Sequence, residues 1–389
     1  MRFTRVLASR VSFIRVRYAP VEEVVIVIAD LYLESAAEAG SIRGVQLPGL
    51  GQMARFGTST TIAQGWRAWL ATWAGSDSLS AESPATIAAA ASRTAGSSAD
   101  RMVWLATPVH LVAGLSSVHM DYRGLLQVEP EVRQGLASEF NSLFGSAGYA
   151  LEALPSAGFL LRSPCLDEVL TVDPARVLGG SISEVLPPAS KAPALRRLTA
   201  EVEMWLHEHP VNQRRGQQGR LPISTLWLWG GGAEPRVAEG ARDAETFSTQ
   251  VVDTVPASAV RGAAVLASMT TPAPGIAYGC DPYLDGLWRT FGGGAHAIPT
   301  DFEEALARGG RRAVFVIELS QAFDREPQWT LRDALAHVDE RWIARAVAAL
   351  QRGDVARVTV IANDRKLSLC ARDRLKVWRR PRPALTAFQ

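Results

Sequence analysis

Two strand-length runs in this chain, Val24–Ala29 and Ala313–Ile317, are apolar at every residue. A strand with one wet face alternates polar and apolar residues. A run apolar throughout has both faces covered, as in a parallel sheet packed between helices. Val355–Ala362 returns as a third strand, and Ala263–Ala267 reads as another. Helical patterns separate them, the clearest being Leu331–Leu350. Strands alternating with helices imply an α/β fold whose sheet is largely parallel, joined by right-handed crossovers. The first run closes on Asp30, and open α/β sheets place ligands at the carboxyl ends of their strands. Asp30 is therefore the leading candidate for a site residue, against the plainer role of a helix cap or turn residue.

A chain of 389 residues is longer than one hydrophobic core usually serves. Between the strands of the α/β sheet, short strand patterns at Met102–Leu105, Val109–Leu111, Phe159–Leu161 and Val169–Val172 accompany helix patterns at Glu131–Phe144 and Leu195–Glu208. We expect a smaller α+β domain, residues 108–222, inserted into a core made of residues 21–107 and 223–389. Residues 1–20 carry five arginines and no acid, without an uninterrupted apolar stretch. They read as a disordered arm rather than an export signal. The three cysteines, Cys165, Cys280 and Cys370, show no metal or redox spacing, which fits a reducing cytoplasm. A net charge of +2 gives no general pull toward nucleic acid or membrane. The basic tail from Arg372 to Arg382 around Trp378 reads as a solvated segment.

The segment Ala200–Gly232 has the densest chemistry. A helix with Val202, Trp205 and Leu206 on one side runs to Pro210, which disfavours helix in the residue before it. His209, Asn212, Arg214 and Arg215 then form a polar turn. Leu226–Trp229 follows as a buried strand and empties into Gly230-Gly231-Gly232. Two uses of this arrangement stand side by side. Asn212, Arg214, Arg215 and the glycine N–H groups grip a phosphate or carboxylate. Alternatively, they tie and bend a hinge between domains.

This pattern, HPVN followed by Arg and then a strand ending WLWG-x-G, resembles the archaeal-type cofactor-independent phosphoglycerate mutases and their bacterial relatives in the alkaline phosphatase superfamily. It also resembles a proteobacterial group of RpfE-type regulatory proteins. The resemblance implies an alkaline phosphatase-like core with an inserted domain, a divalent metal pair (Mn or Mg) and a serine or threonine nucleophile. It places Asp30 among the metal ligands, and Asp324 and Asp364 as the counterparts of two others. Ala74-Gly75-Ser76-Asp77 is similar to the nucleophile motif, which makes Ser76 the candidate nucleophile. The same family pattern calls for metal-binding histidines after the last two strands. Here Leu319–Pro327 carries no Gly-His, Asp364 is followed by Arg365, and residues 365–389 contain no histidine. Carboxylates alone hold at most a labile Mg²⁺. The expectation is a mutase-like protein without its metal chemistry, acting as a binding or regulatory module for a phosphorylated small molecule or a protein. The other reading is an active phosphotransferase with a reduced carboxylate site.

Overall fold

The structure, a computed structural model, describes residues 20–33, 44–92, 101–115, 117–164, 169–234, 273–375, 380 and 383–388. The expected strand 263–267, Cys165, nearly all of the N-terminal arm and most of the basic tail lie outside these residues. The core is a six-stranded sheet built around β1 (Glu23–Ile28). β10 (Arg312–Ile317) and β11 (Arg357–Ala362) flank β1 in parallel, and β9 (Ile276–Tyr278) extends the parallel block beyond β10. β12 (Arg365–Cys370) and β2 (Thr58–Thr61) close the other side antiparallel, giving the order β2-β12-β11-β1-β10-β9.

The apolar run of β1 is buried on both faces, Val24 to Val27 having no exposed surface. Val24, Ile26 and Ile28 face the helices at 48–56 and 331–352. Val25, Val27 and Ala29 face those at 65–73 and 282–290. This two-residue alternation between two hydrophobic layers is why the strand carries no polar residue after Glu23.

A second, antiparallel sheet has the order β6-β7-β3-β8: β6 (Ala150–Ala153), β7 (Phe159–Ser163), β3 (Met102–Val109) and β8 (Thr225–Ala233). A two-residue hairpin, β4 (Val112–Ala113) with β5 (Val118–His119), sits beside it. The helices Pro130–Phe144 and Pro193–His207 share its hydrophobic core. The molecule is thus a mostly parallel sheet flanked by helices, with a smaller antiparallel sheet domain. That sheet takes in β3 and β8, so it reaches past residues 108 and 222 in both directions. Among the described residues no helix is long and apolar enough to cross a membrane.

Two local features depart from the sequence pattern. The long C-terminal helix is interrupted by a π-helical turn at Asp339–Ile343, between α-helices Leu331–Val338 and Ala344–Arg352. The wider turn accompanies a wholly buried Asp339 whose carboxylate accepts from Gly49 N (2.9 Å) and Leu50 N (2.6 Å). These are unpaired N–H groups at the start of helix Pro48–Phe56, whose own N-cap, Leu47, has no side-chain acceptor.

The second departure follows Pro210. Pro210–Gln217 is a helix, not a turn, because proline at the first helical position supplies a suitable φ and lacks only an N–H that would be unpaired there. His209 caps it, Nδ1 accepting from Val211 N at 3.1 Å.

The three glycines serve close packing. Gly230 has φ +63°, and the pairing of β3 with β8 slips in register beside it. A Cβ on Gly231 would stand 2.6 Å from the Trp104 ring, and one on Gly232 would stand 2.1 Å from Ser83 Oγ. Gly232→Val is expected to lower unfolding free energy by about 3 kcal/mol, since the Ser83 and Thr86 side chains it would strike are held by hydrogen bonds to each other, to Thr86 N and to Ala233 O. Urea denaturation measures this, and an unchanged midpoint would mean the glycines are not packing elements.

Candidate functional site

The carboxyl ends of β1 and β10 open onto a cleft of about 80 Å³ shared with the antiparallel sheet domain. Asp30, Glu318 and Ser320 line it from the core, together with Arg67 and Asp281. Gln127, Arg133, Asp173 and Trp229 line it from the opposite side. None of the six histidines takes part.

Asp30 follows β1 and is 5% exposed. One carboxylate oxygen accepts from Leu319 N (2.7 Å) and the other from Ser320 N (2.8 Å), at the start of helix Ser320–Arg325. Burial pushes its pKa up, and the two backbone bonds oppose that without cancelling it. Glu318 ends β10, and its Oε2 accepts from Gln321 Nε2 (2.9 Å) and Gln127 Nε2 (3.3 Å). Burial, then the charges of Asp281 and Asp30, push its carboxyl up to about 7.

Arg67 stands at the centre. It comes from helix Gly65–Trp73, and its guanidinium joins the two domains. NH1 donates to Asp173 Oδ2 (2.5 Å) and NH2 to Asp281 Oδ2 (3.0 Å). The same group lies over the Trp66 ring at 4.3 Å and the Trp229 ring at 4.6 Å. A planar, delocalised cation suits this combination of forked bonding and stacking, and an ammonium does not. Burial works against its charge, but Asp173 and Asp281 outweigh burial and hold the pKa above its ordinary value.

Arg133, on the first turns of helix Pro130–Phe144, is the other guanidinium in the cleft and is 5% exposed. NH1 reaches Ser156 O at 3.3 Å; among the described residues Nε is buried without a partner and no carboxylate lies within ion-pair distance. Burial lowers its pKa.

The other residues singled out from the sequence stand elsewhere. Ser76 is buried and caps the short helix Asp77–Ser80, its Oγ accepting from Leu79 N at 3.3 Å. Asp364, with φ +53°, is the second residue of the two-residue turn joining β11 to β12. It is paired with Arg176 at 2.7 Å. Asp324 lies on helix Ser320–Arg325 toward Arg215 and Arg220.

Asn212 clamps the connection to β8, donating to Leu206 O and Ile223 O and accepting from Ile223 N at 2.7 Å. Arg215 is buried and donates to Leu221 O (2.7 Å) and Gln127 O (3.3 Å), while Arg214 is exposed on the same helix. Asn212, Arg214, Arg215 and Gly230–Gly232 all lie outside the cleft lining, as do Ser76, Asp324 and Asp364.

Asp281 was open to sequence reading, because an Asp-Pro pair after a strand signals a helix cap. Its Oδ1 does accept from Leu284 N at 3.1 Å. Arg67 and Arg133 sit inside amphipathic helices and carry no such signal.

The divalent metal that the resemblance implies does not fit this donor set. Both oxygens of Asp30 accept backbone N–H groups, Arg67 binds Asp173 and Asp281, and Arg176 binds Asp364. Among the described residues no three His, Cys, Asp or Glu side chains form a group able to hold a metal ion.

No family model matches the chain. It is 39% identical over 67 residues to a probable 2,3-bisphosphoglycerate-independent phosphoglycerate mutase of Geobacter sulfurreducens, a match covering 17% of each chain. It is also 39% identical over 71 residues to a 2,3-bisphosphoglycerate-independent phosphoglycerate mutase of Methanothrix thermoacetophila, covering 18% of each. The match thus spans less than a fifth of these relatives' length. The solved cofactor-independent phosphoglycerate mutase of Thermoplasma acidophilum aligns over 90% of both chains at 14% identity, with a TM-score of 0.35.

Proposed function

We propose that this chain is a phosphoglycerate mutase-like protein, of alkaline phosphatase-like architecture, that no longer performs metal-dependent phosphoryl transfer. It acts as a binding or regulatory module. The local identity to named mutases supports the mutase-like part of this reading. The observation that carries the rest is the Arg67 guanidinium bridging Asp173 and Asp281 at the carboxyl end of the sheet. Two-metal phosphoryl transfer needs cations that neutralise the attacking and leaving oxygens and that are free to bind them. A cation already forked onto two carboxylates and stacked on two indoles has no such freedom.

The regulatory role follows the RpfE-type resemblance, and a cytoplasmic setting agrees with the free thiols of Cys280 and Cys370. The test is metal analysis of the purified protein, with conversion of 3-phosphoglycerate to 2-phosphoglycerate assayed in added Mn²⁺. Neither stoichiometric metal nor turnover is expected. Turnover abolished by Asp30→Ala would instead establish an active mutase with a reduced carboxylate site.

A further inference from the structure

We propose that the cleft is a binding site for a small oxyanion, a carboxylate, phosphate or sulfate, anchored by Arg133. This rests on the binding-module reading and names the ligand class. An isolated buried guanidinium is costly unless a charge answers it. The other cleft guanidinium, Arg67, is answered twice, by Asp173 and Asp281. Among the described residues Arg133 has one long bond to a carbonyl and a buried Nε with no partner.

A neighbouring orphan points to the same ligand chemistry. Among the described residues Ser156 Oγ, beside the carbonyl that Arg133 reaches, is also buried without a partner. Both groups are able to donate, so the partner they lack is rich in acceptors. Water accepts hydrogen bonds but leaves the charge unanswered. The cleft's own acids do not answer it either, because Asp30 turns both oxygens to backbone N–H groups and Glu318 accepts from Gln127 and Gln321.

The cleft is open to solvent, so the anchoring guanidinium and not the cleft's size sets the ligand class, and inorganic phosphate and acetate are the smallest probes of it.

Isothermal titration of the full chain with inorganic phosphate, acetate and 3-phosphoglycerate tests this. Phosphate or acetate is expected to bind the wild type, and 3-phosphoglycerate, which carries both groups, shows whether a larger oxyanion also enters. Arg133→Met should weaken the small anion by about tenfold or more, the loss of a charge-assisted bond, and Arg133→Lys by less. The ligand-free Arg133→Met protein should melt at or above the wild type, since it loses an unanswered charge, and added phosphate should raise only the wild type's melting temperature. Absence of small-anion binding, undiminished binding by Arg133→Met, or a lower melting temperature for Arg133→Met would each overturn the proposal. None of these results depends on turnover. Mutase activity, by contrast, would overturn the binding-module reading itself.

Discussion

Replacing Arg67 with methionine should cost about 3–5 kcal/mol of folding free energy, the largest loss expected from any single substitution in the cleft. The variant keeps the aliphatic stem but leaves Asp173 and Asp281 buried without their cation, and breaking a buried pair by removing one partner exposes the full desolvation penalty of the other. Here two carboxylates lose the same partner. Both domains meet at this residue, with Asp281 and Arg67 from the core and Asp173 and Trp229 from the antiparallel sheet domain side. Arg67→Lys should recover only part of the loss, because an ammonium neither forks between two carboxylates nor stacks flat on Trp66 and Trp229. Urea denaturation followed by far-UV circular dichroism measures both variants. A loss below about 1 kcal/mol for Arg67→Met, the size of a surface ion pair, would show that the bridge does not hold the domains together.

Glu318→Gln should stabilise the protein in neutral and alkaline solution and leave it unchanged in acid. The Glu318 carboxyl ionises near 4.5 in the unfolded chain and is pushed up to about 7 in the fold. Below pH 4.5 it is protonated in both states and contributes no difference. As pH rises from 4.5 to 7 only the unfolded chain releases its proton, so folding stability falls. Above pH 7 the deficit is constant at about 3 kcal/mol. Glutamine keeps an acceptor for Gln127 and Gln321 without a titrating proton, so the variant should gain most of that amount at pH 8. Asp30 and Asp339 are shifted in the same direction, so a shallower decline with pH should remain in the variant. Chemical denaturation from pH 4 to pH 9 reads the difference directly. Parallel curves for the two proteins would mean that Glu318 ionises normally in the fold.

Much of the core was legible because its signals are local. A run such as Val24–Ile28 hides both of its faces only between two covering layers, whereas the strand order and the antiparallel strands β12 and β2 carry no such local signal. Asp30 was legible for the same reason, since the end of a central strand is a defined place. The HPVN segment was misread in form, a turn instead of the helix Pro210–Gln217, because proline looks the same at a helix stop and at a helix start. Asn212 and Arg215 turned out to bind carbonyls within the connection to β8, the hinge-like use weighed for them. The glycines read either as an anion cradle or as a bend in a hinge, and what they admit is the Trp104 ring and the helix Pro84–Ala88. A glycine pattern records that something comes close, and only the folded chain says what.

The sequence by itself determined the layered α/β core, the presence of a smaller inserted unit and the absence of histidines from the C-terminal segments where a metal site would need them. These are properties of residue type and short-range periodicity, and they hold wherever the segments end up. The tertiary structure decided what fills the cleft. Arg67 is separated from Asp173 by 106 positions and from Asp281 by 214, and Arg133 lacks an ion-pair partner among the described residues only because of which groups the fold leaves out of its reach. Charge pairing across such separations depends on distance and burial in the folded state, and neither quantity is written in the order of the residues.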